Sequence, residues 1–372
     1  MSTSSKTALI AAWLRDRLKS GAYGIMQRLE SENELADRFS VTRLTARQAL
    51  SRLEQEGLVT RIQGKGTFPF QEPAIFREPK YKRIAFVTRD LKGHVFAYTL
   101  EGAKAECDQA GYALDVYPVP DDTREQRTVL ESLVDAPVDG LIIEAYRTAL
   151  PSPNEDIFRK LTSKGIPCIF LNGFFSGISG VSYVVANDRE TTAAMVDHLA
   201  ALGHEKIGGI FSAMEYAGHE RYRGYLEGMQ RNGLVVEDRR IMFISYNEVQ
   251  YVFDNLFNAY RSGILECTAM VCFSDHFARH LEATLARLGL IMPRDMSITG
   301  IDDLQFPFGS NNRLTTAAHP KEEMGRQAVK MMLAMMSTRQ VVEGRILPMP
   351  MIIGNSTAVP REGTADTLAP FI

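Results

Sequence analysis

The chain lacks several features that decide fold class. Only four of its 372 residues are cysteine, at positions 107, 168, 267 and 272, too few for a disulfide framework in so long a chain. Cys267 and Cys272 have four residues between them and no second Cys or His pair at ligand spacing, so no zinc pattern forms. All four read as buried structural thiols. No apolar run approaches the ~18 residues of a membrane-spanning helix. The short apolar patch near the start is cut by Arg15, Asp16 and Arg17 before a signal-peptide core develops, which leads to the expectation of a cytoplasmic protein. Phosphate-loop, H-E-x-x-H, G-x-S-x-G and G-x-G-x-x-G signatures are also missing. A composition of 45% hydrophobic and 23% charged residues argues against disorder. The length suggests two or three domains.

The net charge is only -3, yet it is unevenly spread. Residues 1–83 hold 15 Lys and Arg against 9 Asp and Glu, a net of +6, which leaves 27 against 36, a net of -9, for the remainder. A basic head on an acidic body places any polyanionic partner at the head.

Residues 1–70 read as three helices and a hairpin. Leu9, Ile10, Trp13, Leu14 and Leu18 make the apolar stripe of a first helix. Ser31 followed by Glu34 has the spacing of a capping box, opening a second helix over 32–39. Thr42 can cap a third, which runs to about Glu56 and stops at Gly57. Two short strands, LVTRI and TFPF, then flank a Gln63-Gly-Lys-Gly66 turn. On the third helix Ala46, Ala49, Leu50 and Leu53 fall on one face, while Arg43 and Arg47 project together from a flank. A short helix, a tight turn and a helix with paired arginines near its start is the plan of a helix-turn-helix, whose planar arginine forks can read guanine edges. On spacing alone, two solvated helix charges fit equally well.

Residues 71–82, with Pro73 and Pro79, read as a linker. From Arg83 the pattern becomes apolar strand-like runs at 83–88, 112–119, 139–145, 167–172, 206–212, 241–245, 268–274 and 296–303, with helical stretches such as 97–110, 189–202, 217–232 and 276–288 between them. Continuous apolar strands with helical crossovers indicate parallel sheets covered on both faces. So much of it points to two Rossmann-like lobes. His198 and His204, on and just past one helix, read as surface or capping residues. Polar residues at strand ends, Asn172, Ser274, Asp275, Asp302 and Asp303, with Arg221 early in a helix, suit a polyhydroxylated ligand beyond the sheets. Taken singly, each also fits a helix cap.

Residues 29–68 carry Ser-Glu-x-x-Leu-Ala at 31–36, Thr-Arg-x-Thr-x-Arg-x-Ala-Leu at 42–50 and Gly-Lys-Gly-Thr at 64–67. This resembles the winged helix-turn-helix of the GntR family. The resemblance implies operator contacts from Ser31, Arg43, Leu44, Thr45 and Arg47, with Gln63, Gly64 and Lys65 at a wing tip in the adjacent groove. Residues 83–357 resemble the effector domain of LacI/GalR-type regulators, itself similar to periplasmic sugar-binding proteins, on VANDRETTAAMVDHLAALGHEKIGGI, HERYRGYLEGM, FSDHFA, MPRDMSITGIDD and LTTAAHP. That resemblance implies a ligand arginine at Arg221 and a ligand aspartate at Asp302. It puts Asn172, Phe96 and His319 in the pocket, and assigns Tyr146, Ser274 and Asp275 to the ligand as well. Ser274 stands where an Asn-Asp pair is usual.

These readings imply an α/β protein with an N-terminal winged helix-turn-helix over 1–70, a linker over 71–82, a two-lobe periplasmic-binding-protein-like domain over 83–360 and a tail over 361–372. The implied function is a transcriptional repressor: a homodimer on a palindromic double-stranded operator, with a small effector, no cofactor, no metal and no membrane partner. The pairing of head and body, with IIEAYRTALPSPNEDIF at 142–158, resembles the bacterial arabinose repressors, which points to L-arabinose or a related sugar. A nucleoside or phosphosugar effector is the alternative, and a transport binding protein shares the body's fold. An aminotransferase-like body needs a Schiff-base lysine, and Lys164, Lys206, Lys321 and Lys330 stand beside no phosphate-cradling loop.

Overall fold

The computed structural model describes residues 3–19, 23, 28–62, 66–69, 76–89, 94–175, 177–245, 253, 266–304 and 313–361. The head contains α1 (Thr3–Lys19), α2 (Glu32–Phe39), α3 (Arg43–Gln55) and an antiparallel hairpin of β1 (Val59–Ile62) and β2 (Gly66–Pro69). The capping box forms as its spacing predicts. Ser31 Oγ accepts from the Glu34 N–H at 3.2 Å, and Glu34 Oε2 accepts from the Ser31 N–H at 2.6 Å. Ser40, in the left-handed region at φ 49°, ends α2, and Thr42 caps α3. Ile10, Leu14, Leu35, Ala46, Ala49, Leu50 and Leu53 close one small core. The single tryptophan, Trp13, meets Phe39 edge-on, with the guanidinium groups of Arg17 and Arg38 each 4.8 Å from its ring.

The body continues as β3 (Arg83–Thr88), α4 (His94–Ala110), β4 (Ala113–Pro118), α5 (Thr123–Val134), β5 (Gly140–Glu144), α6 (Glu155–Ser163), β6 (Cys168–Leu171), β7 (Val181–Ala186) and α7 (Asp188–Ala201). Next come β8 (Ile207–Ser212), α8 (Tyr216–Arg231), β9 (Ile241–Ile244), β10 (Ala269–Cys272), α9 (Asp275–Arg287) and β11 (Ser297–Thr299). The chain closes with β12 (Thr316–Ala317), α10 (Lys321–Thr338), β13 (Arg345–Leu347) and β14 (Met351–Ile352). Two parallel sheets result, in the orders β13-β7-β6-β5-β3-β4 and β11-β10-β8-β9. Each is a doubly wound sheet whose second strand lies outside its first, which opens a crevice at the strand ends where the winding reverses. The central strands GLIIE and CIFL are buried along their whole length, whereas no residue of edge strand β4 is fully buried, as strand position in a covered sheet requires. All four cysteines are buried and unpaired. Among the described residues, no helix is long and apolar enough to cross a membrane.

Two sequence expectations change. Residues 71–75 of the expected linker lie outside the described residues, but from residue 76 the segment packs on the body. Phe76 is fully buried in the first lobe's core, and the backbone N–H groups of Lys80 and Tyr81 donate to Asp139 at 2.7 and 2.9 Å. His204 is not a surface residue. It is buried, with Nδ1 2.9 Å from Thr268 Oγ1 and Nε2 within 3.0 Å of both Ser297 Oγ and the Ala358 carbonyl. It ties the C-terminal segment to the edge of the second sheet.

The crossover helix α10 returns to the first lobe and packs against α4, placing Met324, Ala328, Met331, Met332 and Met335 in the core with Ile84 and Phe86. The crossing is close. A Cβ on Gly325 would run into the Thr99 carbonyl, and one on Gly102 into the Glu322 carbonyl. Gly325→Ala should therefore cost about 1–3 kcal/mol, as overpacking does. The denaturant midpoint reads this directly, and an unchanged midpoint would mean that the helices do not approach so closely.

Candidate functional site

On the head, Arg43 and Leu44 lie exposed in the first turn of α3, with 63% of the Arg43 side chain and 61% of Leu44 open to solvent. Arg47 is half exposed one turn later. Both arginines converge on a residue that the sequence reading did not single out. Glu32, from the first turn of α2, accepts from Arg43 Nε at 2.8 Å and from Arg47 Nε and Nη2 at 3.0 and 3.2 Å. Arg61 of β1 lies 4.0 Å from the same carboxylate and donates to the Arg47 carbonyl. These hydrogen bonds hold the Glu32 carboxyl below its usual range. Thr45 corrects an expectation. It is buried, with its hydroxyl 2.9 Å from Thr42 Oγ1, so it builds the start of α3 rather than facing outward. The Ser31 hydroxyl is likewise committed to the capping box. Gln63, Gly64 and Lys65 lie outside the described residues.

In the body, side chains from both lobes surround a cavity of about 400 Å3 at the C-terminal ends of the strands. Five of the expected ligand residues line it: Phe96, Asn172, Arg221, Asp302 and His319. Three do not. Ser274 caps α9 by accepting from the Phe277 N–H at 3.4 Å. Asp275 lies beneath the cavity wall, accepting from the Leu304 N–H at 2.8 Å and Thr316 Oγ1 at 2.7 Å while its own N–H donates to the Ile301 carbonyl. Both are buried in structural roles because the helix start and the loop after β11 need those acceptors. Tyr146 does not line the cavity; its half-buried ring has its centre 5.3 Å from the guanidinium of Arg89, which does.

Sequence reasoning missed the charged partners. Arg221 is buried with its Nε 2.6 Å from Asp188 Oδ1, donates to the Phe273 carbonyl and stacks 4.4 Å from the Phe273 ring centre. Arg89, at the end of β3, grips Asp121 and reaches Glu215 at the start of α8 at 3.1 Å, which links the two lobes. Arg89, Asp188, Glu215 and Phe273 all line the cavity. The rule that ligands gather at strand ends could have flagged Arg89, which immediately follows RIAFVT.

Two wall residues take backbone conformations unusual for side-chain-bearing residues: Asn172 at φ 61° and Asp302 at φ 116°. Such geometry costs of order 1–3 kcal/mol each and clusters where groups must be aimed. Asn172 Nδ2 and His319 Nδ1 are buried atoms with no hydrogen-bond partner among the described residues, an unusual cost that a polar ligand would relieve. Desolvation pushes the Asp302 carboxyl up to about 7 and the His319 imidazole down to about 3. Burial also raises Asp188 and Glu215, against the pull of Arg221 and Arg89. The cavity therefore offers hydrogen-bond donors and acceptors whose two cations are already matched by carboxylates.

Residues 6–68 match the model of bacterial regulatory proteins of the gntR family, and residues 196–357 match that of a periplasmic binding protein-like domain. The chain is 32% identical to an arabinose metabolism transcriptional repressor of Geobacillus stearothermophilus, over 89% of this chain and 92% of that protein. It is 28% identical to a protein of the same description from Halalkalibacterium halodurans, over 82% and 83%. A crystal structure of a LacI family transcriptional regulator from Mycobacterium smegmatis shares the fold of the body, with a TM-score of 0.63 at 23% identity over 75% of this chain and all of that one.

The shifted groups give a signed expectation. The Asp302 carboxyl, raised from 3.8 to about 7, keeps its proton in the folded protein after the unfolded chain has released it. Its contribution to stability therefore falls as pH rises between those two values. His319, lowered from 6.5 to about 3, acts with the opposite sign over its own window but is common to both proteins in a comparison. Asp302→Asn should thus gain stability relative to wild type between pH 4 and pH 7. Denaturant midpoints at the two pH values measure it, and a pH-independent difference would contradict the assignment.

Proposed function

The chain belongs to the family of the arabinose metabolism transcriptional repressors, and from that premise we propose that it is a cytoplasmic repressor whose hold on a palindromic operator is released by a neutral sugar, L-arabinose or a close relative, bound between the lobes of its body. It acts by binding rather than by catalysis. Two chains pair through their effector lobes and so present two recognition helices to the two half-sites.

The observation that carries the effector reading is the cleft: Asn172, Asp302 and His319 from strand ends and Arg221 from α8 converge on one cavity of about 400 Å3, and two of them hold polar atoms with no partner among the described residues. A sugar hydroxyl both donates and accepts, which suits an amide, an imidazole and a carboxyl together. A phosphosugar fits less well. Arg221 and Arg89 are already engaged by Asp188, Asp121 and Glu215, so an added phosphate would meet the wall carboxyl groups of Asp188, Glu215 and Asp302 with no cation left uncommitted to balance them. At the operator, Arg43 and Arg47 read base edges, with Leu44 beside them.

Release requires the sugar to prefer the DNA-free form, because equal affinity for both forms shifts nothing. Moving the balance from 1:99 to 99:1 takes about a 10⁴-fold preference.

Calorimetric titration with L-arabinose, other pentoses, hexoses and nucleosides tests the effector, in parallel with a mobility-shift assay on a duplex selected by the protein from random sequence. Saturable binding of a pentose that also frees the duplex supports the reading; a response to nucleosides alone would replace the sugar. Arg47→Ala should lower affinity for the selected duplex by about 1–3 kcal/mol and leave binding to unrelated DNA less affected. An equal loss on both would remove Arg47 from base readout. Arg221→Lys keeps a cation beside Asp188, avoiding the penalty of an unpaired buried charge, but gives up the planar fork. It should bind the duplex as wild type does and need at least tenfold more sugar for release. Unaltered induction would exclude Arg221 from the ligand site.

A further inference from the structure

A second hollow adjoins the effector cavity. It encloses about 420 Å3 and shares Leu304 and His319 with the first cavity; Tyr98 of α4, Asp303 and residues 320–323 at the start of α10 complete its wall. Tyr98 is 42% exposed, an aromatic surface left open at the rim, with the Lys321 ammonium 5.9 Å from its ring centre. The Asp303 carboxylate makes no ion pair among the described residues, whereas Glu322 pairs with Arg326 and Glu323 accepts from Gln327. Between the two hollows lies the buried His319 ring, whose Nδ1 has no partner among the described residues.

An exposed ring, with a carboxylate that makes no ion pair and an imidazole nitrogen that has no partner among the described residues, shares one ligand chemistry. A pyranose or furanose ring lays C–H groups on an aromatic face and offers hydroxyls to the other two groups. A phosphate would face Asp303, Glu322 and Glu323 with Lys321 alone in its favour, and a purely apolar ligand would bury the carboxylate without a partner. The first cavity has the space of roughly thirteen water molecules, more than one sugar ring displaces, and it is continuous with the second at the shared residues Leu304 and His319, so a ligand of two rings can reach across both.

We propose that the effector cleft continues past His319 into an outer subsite for a second sugar ring, so that the effectors of this protein include a glycosidically linked pentose disaccharide. The inference rests on the sugar reading of the inner cavity. His319, at the junction, serves both rings, while Tyr98 and Asp303 serve only the outer one.

Calorimetry on the full chain with L-arabinose and with a disaccharide of two L-arabinose units tests it, using wild type, Tyr98→Ala and Asp303→Asn. The wild type should bind the disaccharide at least as tightly as the monosaccharide. Tyr98→Ala should weaken the disaccharide about tenfold and leave L-arabinose unchanged, and Asp303→Asn should act in the same direction. Three results would overturn the subsite while leaving the sugar reading intact: monosaccharide binding with rejection of the disaccharide, no loss in either variant, or an equal loss for both sugars. Binding of neither sugar to the wild type would overturn the sugar reading and the subsite together.

Discussion

One buried guanidinium organises the cleft. Arg221 brings a full positive charge into a site where only 4% of the residue meets solvent, a burial tolerable only because it is paired and hydrogen-bonded. Its Nε engages Asp188 at the start of α7, one terminal nitrogen donates to the Phe273 carbonyl at the end of β10, and its plane lies against the Phe273 ring. Three segments distant in sequence are thereby held at fixed positions. The Asp302 loop is then braced from below by Asp275, whose carboxylate accepts from Leu304 and Thr316. A Cβ at Gly300 would strike that carboxylate, so the chain before Asp302 runs hard against it. Packing of this kind can sustain φ values that an isolated loop would not adopt.

The arginines of the head obey the opposite economy. Arg43 and Arg47 share Glu32 while remaining half or more exposed, and exposed ion pairs contribute of order 0–1 kcal/mol. Such a pair can hold two like charges in register and still give them up at little cost to a better partner. The Arg221–Asp188 pair cannot be exchanged so cheaply. The same residue type thus serves as an exchangeable surface charge where water competes and as a fixed frame where it does not. Burial makes the difference.

Legibility in the sequence followed the range of the interactions. The second helix of the head was readable to its bounds and the third at its start, because Ser31, Glu34 and Thr42 act on backbone groups within one turn of themselves. The alternation of apolar strands with helices was equally plain, down to Arg83–Thr88. Strand β7 was not among the expected strands; it lies between β6 and β13, the latter far along the chain, with Val184 opposite Arg345. In the cleft, Arg221, Asp302, Asn172, Phe96 and His319 were reachable through family resemblance. Arg89 and Glu215 were not, being 126 residues apart, and Asp188 looked like a helix start until Arg221 came to it. Ser274, Asp275 and Thr45 carried the right chemistry in the right motifs, but backbone N–H groups and the hydroxyls of Thr42 and Thr316 claimed it first.

By itself, then, the sequence determined what neighbours decide: the caps and apolar faces of the head's helices, the alternation of strands and helices in the body, the basic head and acidic body, and the class of side chain at several strand ends. Only the tertiary structure decided which strand ends meet, which carboxylate answers which arginine, and which polar atoms are left facing a cavity. The physical reason is that a capping hydrogen bond closes over three or four residues, whereas a buried charge must find its partner wherever the packing of whole elements delivers one.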